Sequence, residues 1–249
     1  VGIGLNAMYS TTTGYTNVGI GSNVLYNQTT GYENVAIGQC AMYANISGVE
    51  NTAIGCGALR SSQTANANTA VGRSALGANT SGTKNVALGR NAMCSNSTAS
   101  CNIAIGFQSM CSNTNGHSNT AVGASALSST TEGLRNTSMG LISGNANSTG
   151  CNNTFMGYGA GMRFTTGDNN IAIGCAAGCG SASPGGEFTT QDNRIIMGNG
   201  NHTNAYIKIA WTVTSDLRDK TNFSTVPHGL EFVNKEIILL LLTTTNQKI

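Results

Sequence analysis

Glu33 and Glu50 lie 17 residues apart. A pair of carboxylates held at a fixed separation is what a glycosidase uses to protonate a leaving group and to attack or activate water. Without aromatic sugar platforms beside them, they read as a solvated surface pair. Cys94 and Cys111 are separated by the same interval. If that interval stacks them, their Cα spacing suits a disulfide. Cys175 and Cys179 lie within one interval, no C-x-x-C pair occurs, and His117, His202 and His228 show no zinc-ligand spacing. The eight cysteines therefore read as small thiols rather than a metal site, and no cofactor is implied. Tyr9, Tyr26 and Tyr43 repeat at 17 as well. Such a stripe could stack on sugar rings or form a subunit contact. The pairs Thr29-Thr30, Thr80-Ser81, Thr130-Thr131 and Thr165-Thr166 are adjacent rather than alternating. They read as turn residues, not as a flat ice-ordering array.

The shared interval belongs to a repeat that organises the chain, and such periods are read before any single residue. Asparagine recurs at Asn17, Asn34, Asn51, Asn68, Asn85, Asn102, Asn119, Asn136, Asn153 and Asn170. Glycine follows four places later at Gly21, Gly38, Gly55, Gly72, Gly89, Gly106, Gly123, Gly140, Gly157 and Gly174. Counting the asparagine as position 0, position 1 is always Val, Ile or Thr and position 3 always Ile, Val, Leu or Met. Position 2 is mostly Ala. This alternation predicts a short strand. Positions 7 and 8 form a second apolar pair, as in Ala41-Met42 and Ala58-Leu59. Positions 10 to 14 predict a turn whose final glycine suits a positive φ.

A 17-residue unit without helical periodicity predicts an all-β fold, a β-solenoid (parallel β-roll) of about ten coils. Coils stacked ~4.8 Å apart make a rod on the order of 50 Å long. Stacking turns the position-0 asparagines into a side-chain ladder. Each coil has few apolar positions, several only alanine, which is a thin core for a lone chain. The regular alanine face at position 2 is expected to pack against identical chains about a symmetry axis. A homotrimer is the predicted assembly, and the columns alone leave two-fold or sheet-like packing open.

Composition narrows the function. Charged residues make up 9%, and the net charge of +2 gives no electrostatic case for nucleic acid. No secretory signal pattern opens the chain, and the longest apolar run, 237–242, is too short to cross a membrane. Val1, Ile3, Gly4, Ala7 and Met8 already fit the repeat, which reads as part of a longer chain.

The N-T-A-I-G-x-x-A-L unit with its N-x-T-x-G turn resembles the repeats of phage and bacterial fibre proteins. It is also similar to the parallel β-roll heads of trimeric autotransporter adhesins. This resemblance spans residues 1–180. It implies a structural and adhesive role: the distal shaft or head of a trimeric viral tail fibre engaged in host attachment, located in the virion or at a cell surface. The implied partners are further copies of the chain, a host cell-surface glycan or protein receptor, and other fibre or virion proteins. A bacterial or cellular surface adhesin or filament component shares the same rod. A polysaccharide depolymerase would need a groove of carboxylates and aromatics that the sequence does not show.

The repeat loses step after Gly174, and the next asparagine arrives at Asn193. Residues 181–193 read as a Gly/Ser/Pro linker and 194–214 as a β-rich junction. Trp211, the one tryptophan, lies in that junction and points to a plug of aromatic bulk absent from the rod. The string Ser215-Asp216-Leu217-Arg218-Asp219-Lys220, continued by residues 226–234, resembles the opening of the peptidase S74 intramolecular chaperone domain of phage tail spikes and fibres. That resemblance implies a C-terminal element that drives trimerisation and then cuts the Thr214–Ser215 bond, with Ser215 and Lys220 as its catalytic residues. A lysine desolvated enough to lose its proton can serve as base to a serine hydroxyl. Residues 215–249 are shorter than that family's domain, and 236–243 lack its pattern, so the element is incomplete.

Overall fold

The computed structural model describes residues 1–180 and 188–203, which belong to one compact unit, Val1–Thr203. Trp211, Ser215, Lys220, His228 and the C-terminal element lie outside the described residues, as does most of the expected linker.

Among the described residues the chain forms a single parallel sheet whose strands follow one another in sequence order. After β1 (Gly2–Ile3), three-residue strands recur every 17 residues from β2 (Val18–Ile20) through β3 (Val35–Ile37) to β11 (Ile171–Ile173). Equivalent repeat positions pair directly, as in Val35↔Thr52 and Ala36↔Ala53. The β-solenoid and its coil length are those expected. The rod also runs further than expected. β12 (Ile195–Met197) pairs in register with β11, Ile171 opposite Ile195. The offset there is 24 rather than 17, so this coil carries seven extra residues. Arg194, not Asn193, therefore takes the asparagine position. Asn193 has φ 58, like Glu33 and the other residues two places before the strands.

The strand presents two faces, and they are assigned in reverse of the expectation. The position-2 alanines Ala36, Ala53, Ala70, Ala87, Ala104, Ala121 and Ala172 are fully buried inside the coil. There they join the position-7 and position-8 pairs, such as Ala41-Met42 and Ala75-Leu76, in one continuous core. The physical reason is parity. Side chains at positions 0 and 2 of a strand share a face, and the asparagines at position 0 are buried. The β-branched and long apolar residues at positions 1 and 3 consequently point outward.

Glycine at position 4 is required twice over. Gly89 has φ +136, and a Cβ there would lie 2.5 Å from the Gly106 carbonyl oxygen one coil on. At position 14 the expected positive φ is absent, and Ala65 and Ala99 stand in the same column. Space is tight at Gly31, where a Cβ would lie 2.5 Å from the Gly48 carbonyl oxygen, and the 17-residue coils carry only glycine or alanine in this column. Left-handed backbone occurs instead at positions 6, 8 and 16, as at Asn23 (φ 52), Leu25 (φ 49) and Glu33 (φ 56). Hydrogen bonds to both neighbouring coils hold these residues there. Asn23 N–H donates to the Leu5 carbonyl of the coil before, and Leu25 N–H to the Ala41 carbonyl of the coil after. Backbone outliers persist where the surroundings over-determine them.

The last coils break the column rules in a compensated way. Phe155 replaces alanine at position 2, and Gly144 and Gly161 replace Leu or Met at position 8. Phe155, Phe164 and Phe188 then form an aromatic core, with ring centroids 5.4 and 5.9 Å apart. Aromatic bulk is thus already present within the rod.

Candidate functional site

Three features of the rod are candidates for function: its buried amide ladders, its outward strand face, and a depression on the side of the coils.

The ladder is complete. From Asn34 to Asn170 each asparagine N–H donates to Oδ1 of the asparagine one coil earlier, at 2.8–3.0 Å. Each Nδ2 from Asn17 to Asn170 donates to the position-14 carbonyl of its own coil, at 2.7–2.9 Å. The Arg194 N–H closes the series on Asn170 Oδ1 at 2.9 Å. A second, shorter ladder runs through position 11. Asn45 Nδ2 donates to Gln28 Oε1, Asn96 Nδ2 to Asn79 Oδ1 and Asn113 Nδ2 to Asn96 Oδ1. Sequence reading placed these asparagines in a turn. Their 17-residue spacing, interrupted by Ser62 and Thr130, is the signal that marks them as a column. The first ladder uses both its amide oxygens and its amide nitrogens, and the second uses its amides throughout except at Asn147 Oδ1, which has no partner among the described residues, so both are structural.

The outward face is uncharged and continuous, with threonine in half of the position-1 column. Positions 1 and 3 of the ten strands from Val18–Ile20 to Ile171–Ile173 contribute twenty residues, all of them Val, Ile, Leu, Met or Thr. Ile54, Ile105 and Met139 remain 38%, 37% and 43% exposed although their column neighbours flank them.

Glu33 and Glu50 are both exposed. All eight cysteines are free thiols. Cys94 Sγ lies 3.5 Å from the Cys111 carbonyl oxygen, to which it donates, so stacking of the two cysteines produces a hydrogen bond rather than a disulfide. Burial pushes the Cys111 thiol up from its ordinary value, opposed by its contact with Ser112. Burial also raises Cys179, opposed by backbone hydrogen bonding around Met162. His117 and His202 each accept a backbone N–H through Nδ1, from Ser100 and Asn199. The tyrosines stack on one another, Tyr9 on Tyr26 at 5.1 Å and Tyr26 on Tyr43 at 5.2 Å. Their faces are turned along the rod, and the ring edges rather than open faces meet solvent. The position-12 hydroxyls are also committed. Thr29, Thr80 and Thr131 Oγ1 each donate to a carbonyl one coil on, which removes them as an array for ordering water.

Sequence reading did not locate the depression. It has a volume of about 510 Å³ and lies on the coils that begin at Asn51 and Asn68. Its wall is built from positions 5, 6, 9 and 10, and Arg60 and Arg73 both line it. Its origin is two missing side chains. Gly57 stands at position 6, where neighbouring coils carry Cys40 and Ser74, and Gly77 stands at position 9, between Arg60 and Cys94.

Comparison with family models, with curated proteins and with solved structures finds no match for this chain.

Proposed function

We propose that this chain is the shaft of a homotrimeric fibre of the viral tail-fibre kind, a structural and adhesive rod engaged in host attachment. The observation that carries the reading is the outward face of the strands. Twenty uncharged, mostly β-branched residues form one straight stripe on the order of 50 Å long. A standard protein interface uses about 20–30 residues a side, so the stripe is of the right size to be covered by other copies of itself. A contiguous apolar stripe of this extent marks an interaction surface, and identical parallel rods present it in matching register. The buried alanines are thereby replaced, as the contact between chains, by the Ile/Val columns.

In this reading the rod acts geometrically. It holds the variable positions of its coils in fixed rows, and weak contacts made by several rows and several chains multiply through effective concentration. The receptor is a host cell-surface glycan or protein, and other fibre or virion proteins continue the assembly. The segment beginning at Ser215 serves trimerisation, with cleavage at Thr214–Ser215 assisted by Lys220.

Sedimentation velocity and light scattering on the purified chain test the proposal. A trimeric mass with a frictional ratio of an elongated particle is expected. A stable monomer at micromolar concentration overturns it.

A further inference from the structure

We propose that the depression between Arg60 and Arg73 is a binding site for an acidic saccharide, with a sulfate or carboxylate group held by the two guanidinium groups. The proposal deepens the attachment role above and rests on it for its biological setting.

The charge pattern is the first ground. Between Glu50 and Glu132 the chain carries Arg60, Arg73, Lys84 and Arg90 and not one carboxylate. Two of these four cations line one concavity. Neither the Arg60 nor the Arg73 side chain has an ion pair or hydrogen bond among the described residues, whereas Arg90, the column neighbour of Arg73, lies over the Phe107 ring at 5.8 Å. Unpaired guanidinium groups facing one space are a fork-shaped set of donors matched to planar oxyanions.

The second ground is the rest of the lining. The Ser61 and Ser74 hydroxyls and the Gln39 amide also border the space, and among the described residues their side chains have no protein partner. Arg60, Arg73, Ser61, Ser74 and Gln39 thus gather five polar side chains without a protein partner around one space. Hydroxyls and amides beside a cation pair fit a ligand rich in hydroxyl groups that also carries negative charge. The volume of about 510 Å³ falls within the ~300–1,000 Å³ range of small-ligand sites.

The third ground is how the space arises. Gly57 has φ +66, and a Cβ there would have only Ser74 Oγ (3.9 Å) and Arg60 Cδ (4.0 Å) near it. Backbone geometry does not demand glycine, because Asn23 (φ 52) and Asn91 (φ 58) occupy the same column. The missing side chain therefore serves the space rather than the fold. Nucleic acid is a poorer fit, since no aromatic residue on which a base would stack lines the depression.

Calorimetric titration of the purified full chain at low salt, with a heparin octasaccharide and with a polygalacturonate oligomer, tests the site. Binding of either one is expected. Heparin alone identifies sulfate as the group held, polygalacturonate alone identifies carboxylate, and both together identify the shared oxyanion. Arg60→Gln with Arg73→Gln, and separately Gly57→Asn, are each expected to weaken binding about tenfold or more, the scale of a lost hydrogen bond to a charged group. Arg135→Gln, on the rod but outside the depression, is expected to leave binding unchanged. Absence of binding to both probes overturns the proposal, as does an equal loss in Arg135→Gln or equally tight binding of a DNA oligonucleotide. Sedimentation of the same variants reports assembly separately, so a failed site and a failed fibre reading give different results.

Discussion

Phe155 occupies the volume that a side chain at Gly161 would need: a Cβ built on Gly161 falls within the Phe155 ring. The two residues are one exchange, aromatic at position 2 for glycine at position 8, in a core that pairs alanine with leucine or methionine in the coils from Asn34 to Asn119. Phe155→Ala alone leaves a void and is expected to cost about 3–5 kcal/mol. Adding Gly161→Leu restores the pairing of the other coils and is expected to recover most of that loss. Urea unfolding of the four members of the cycle measures the coupling. Simple additivity of two losses would refute the exchange.

Removing one rung of the asparagine ladder strands a buried group. Asn85→Ala takes the acceptor from the Asn102 N–H and leaves the Ala99 carbonyl with the Asn96 amide as its donor. Each buried group left without a partner costs about 1–3 kcal/mol. Asn115→Ala, whose side chain meets only the exposed Thr98 hydroxyl, is expected to change stability by less than about 0.5 kcal/mol. Equal melting temperatures for the two variants would contradict a structural ladder.

A charge on the outward face separates folding from assembly. Ile54→Lys and Ile105→Lys place ammonium groups in the middle of the apolar stripe. The coil core is untouched, so circular dichroism is expected to match the parent chain. Sedimentation is expected to shift from trimer to monomer. Trimers of unchanged stability would move the interface elsewhere.

Gly89→Ala meets both of the constraints on position 4. The φ of +136 costs about 1–3 kcal/mol for a residue with a Cβ, and overpacking against Gly106 adds about 1–3. Destabilisation of about 2–6 kcal/mol is expected from denaturant melts. Gly57→Ala, with open space around its Cβ, is expected to fall well below that.

The thiols differ in reactivity for reasons the structure supplies. Cys56, Cys101 and Cys175 are exposed, whereas burial raises Cys111 and Cys179. Raised folded-state values keep these two thiols neutral while the unfolded chain already ionises. The associated stability is present below the ordinary thiol range and is lost as pH rises through it towards the folded-state values. Alkylation by iodoacetamide near neutral pH, followed by peptide mass mapping, is expected to mark Cys56 well before Cys111. The reverse order would contradict the burial argument.

Much of the fold was readable because a solenoid writes its geometry once per coil. The interval between Asn17 and Asn34 specified coil length, strand position and register, and the Ala41-Met42 pair marked the second core column. The direction of the alanines was not readable from alternation alone, which defines two faces without saying which is inside. The buried asparagine on the same parity decides it, and its burial is a structural fact. The terminal coil escaped for a related reason. Its seven extra residues shift the frame, and Arg194 offers only its backbone N–H to Asn170, so no side-chain signature marks the rung. The depression was invisible because it consists of what Gly57 and Gly77 lack.

The hydrogen bonds that stack one coil on the next connect residues 17 apart, and any coil is an acceptable template for its neighbour. Length in this molecule therefore comes in whole units. Gain or loss of 17 residues lengthens or shortens the rod by one ~4.8 Å step without a new core having to be devised, and the 24-residue last coil keeps the same register with seven residues added. Such a chain can change its reach by recombination between its own repeats, and the row of surface residues added with each step arrives already aligned with the rest.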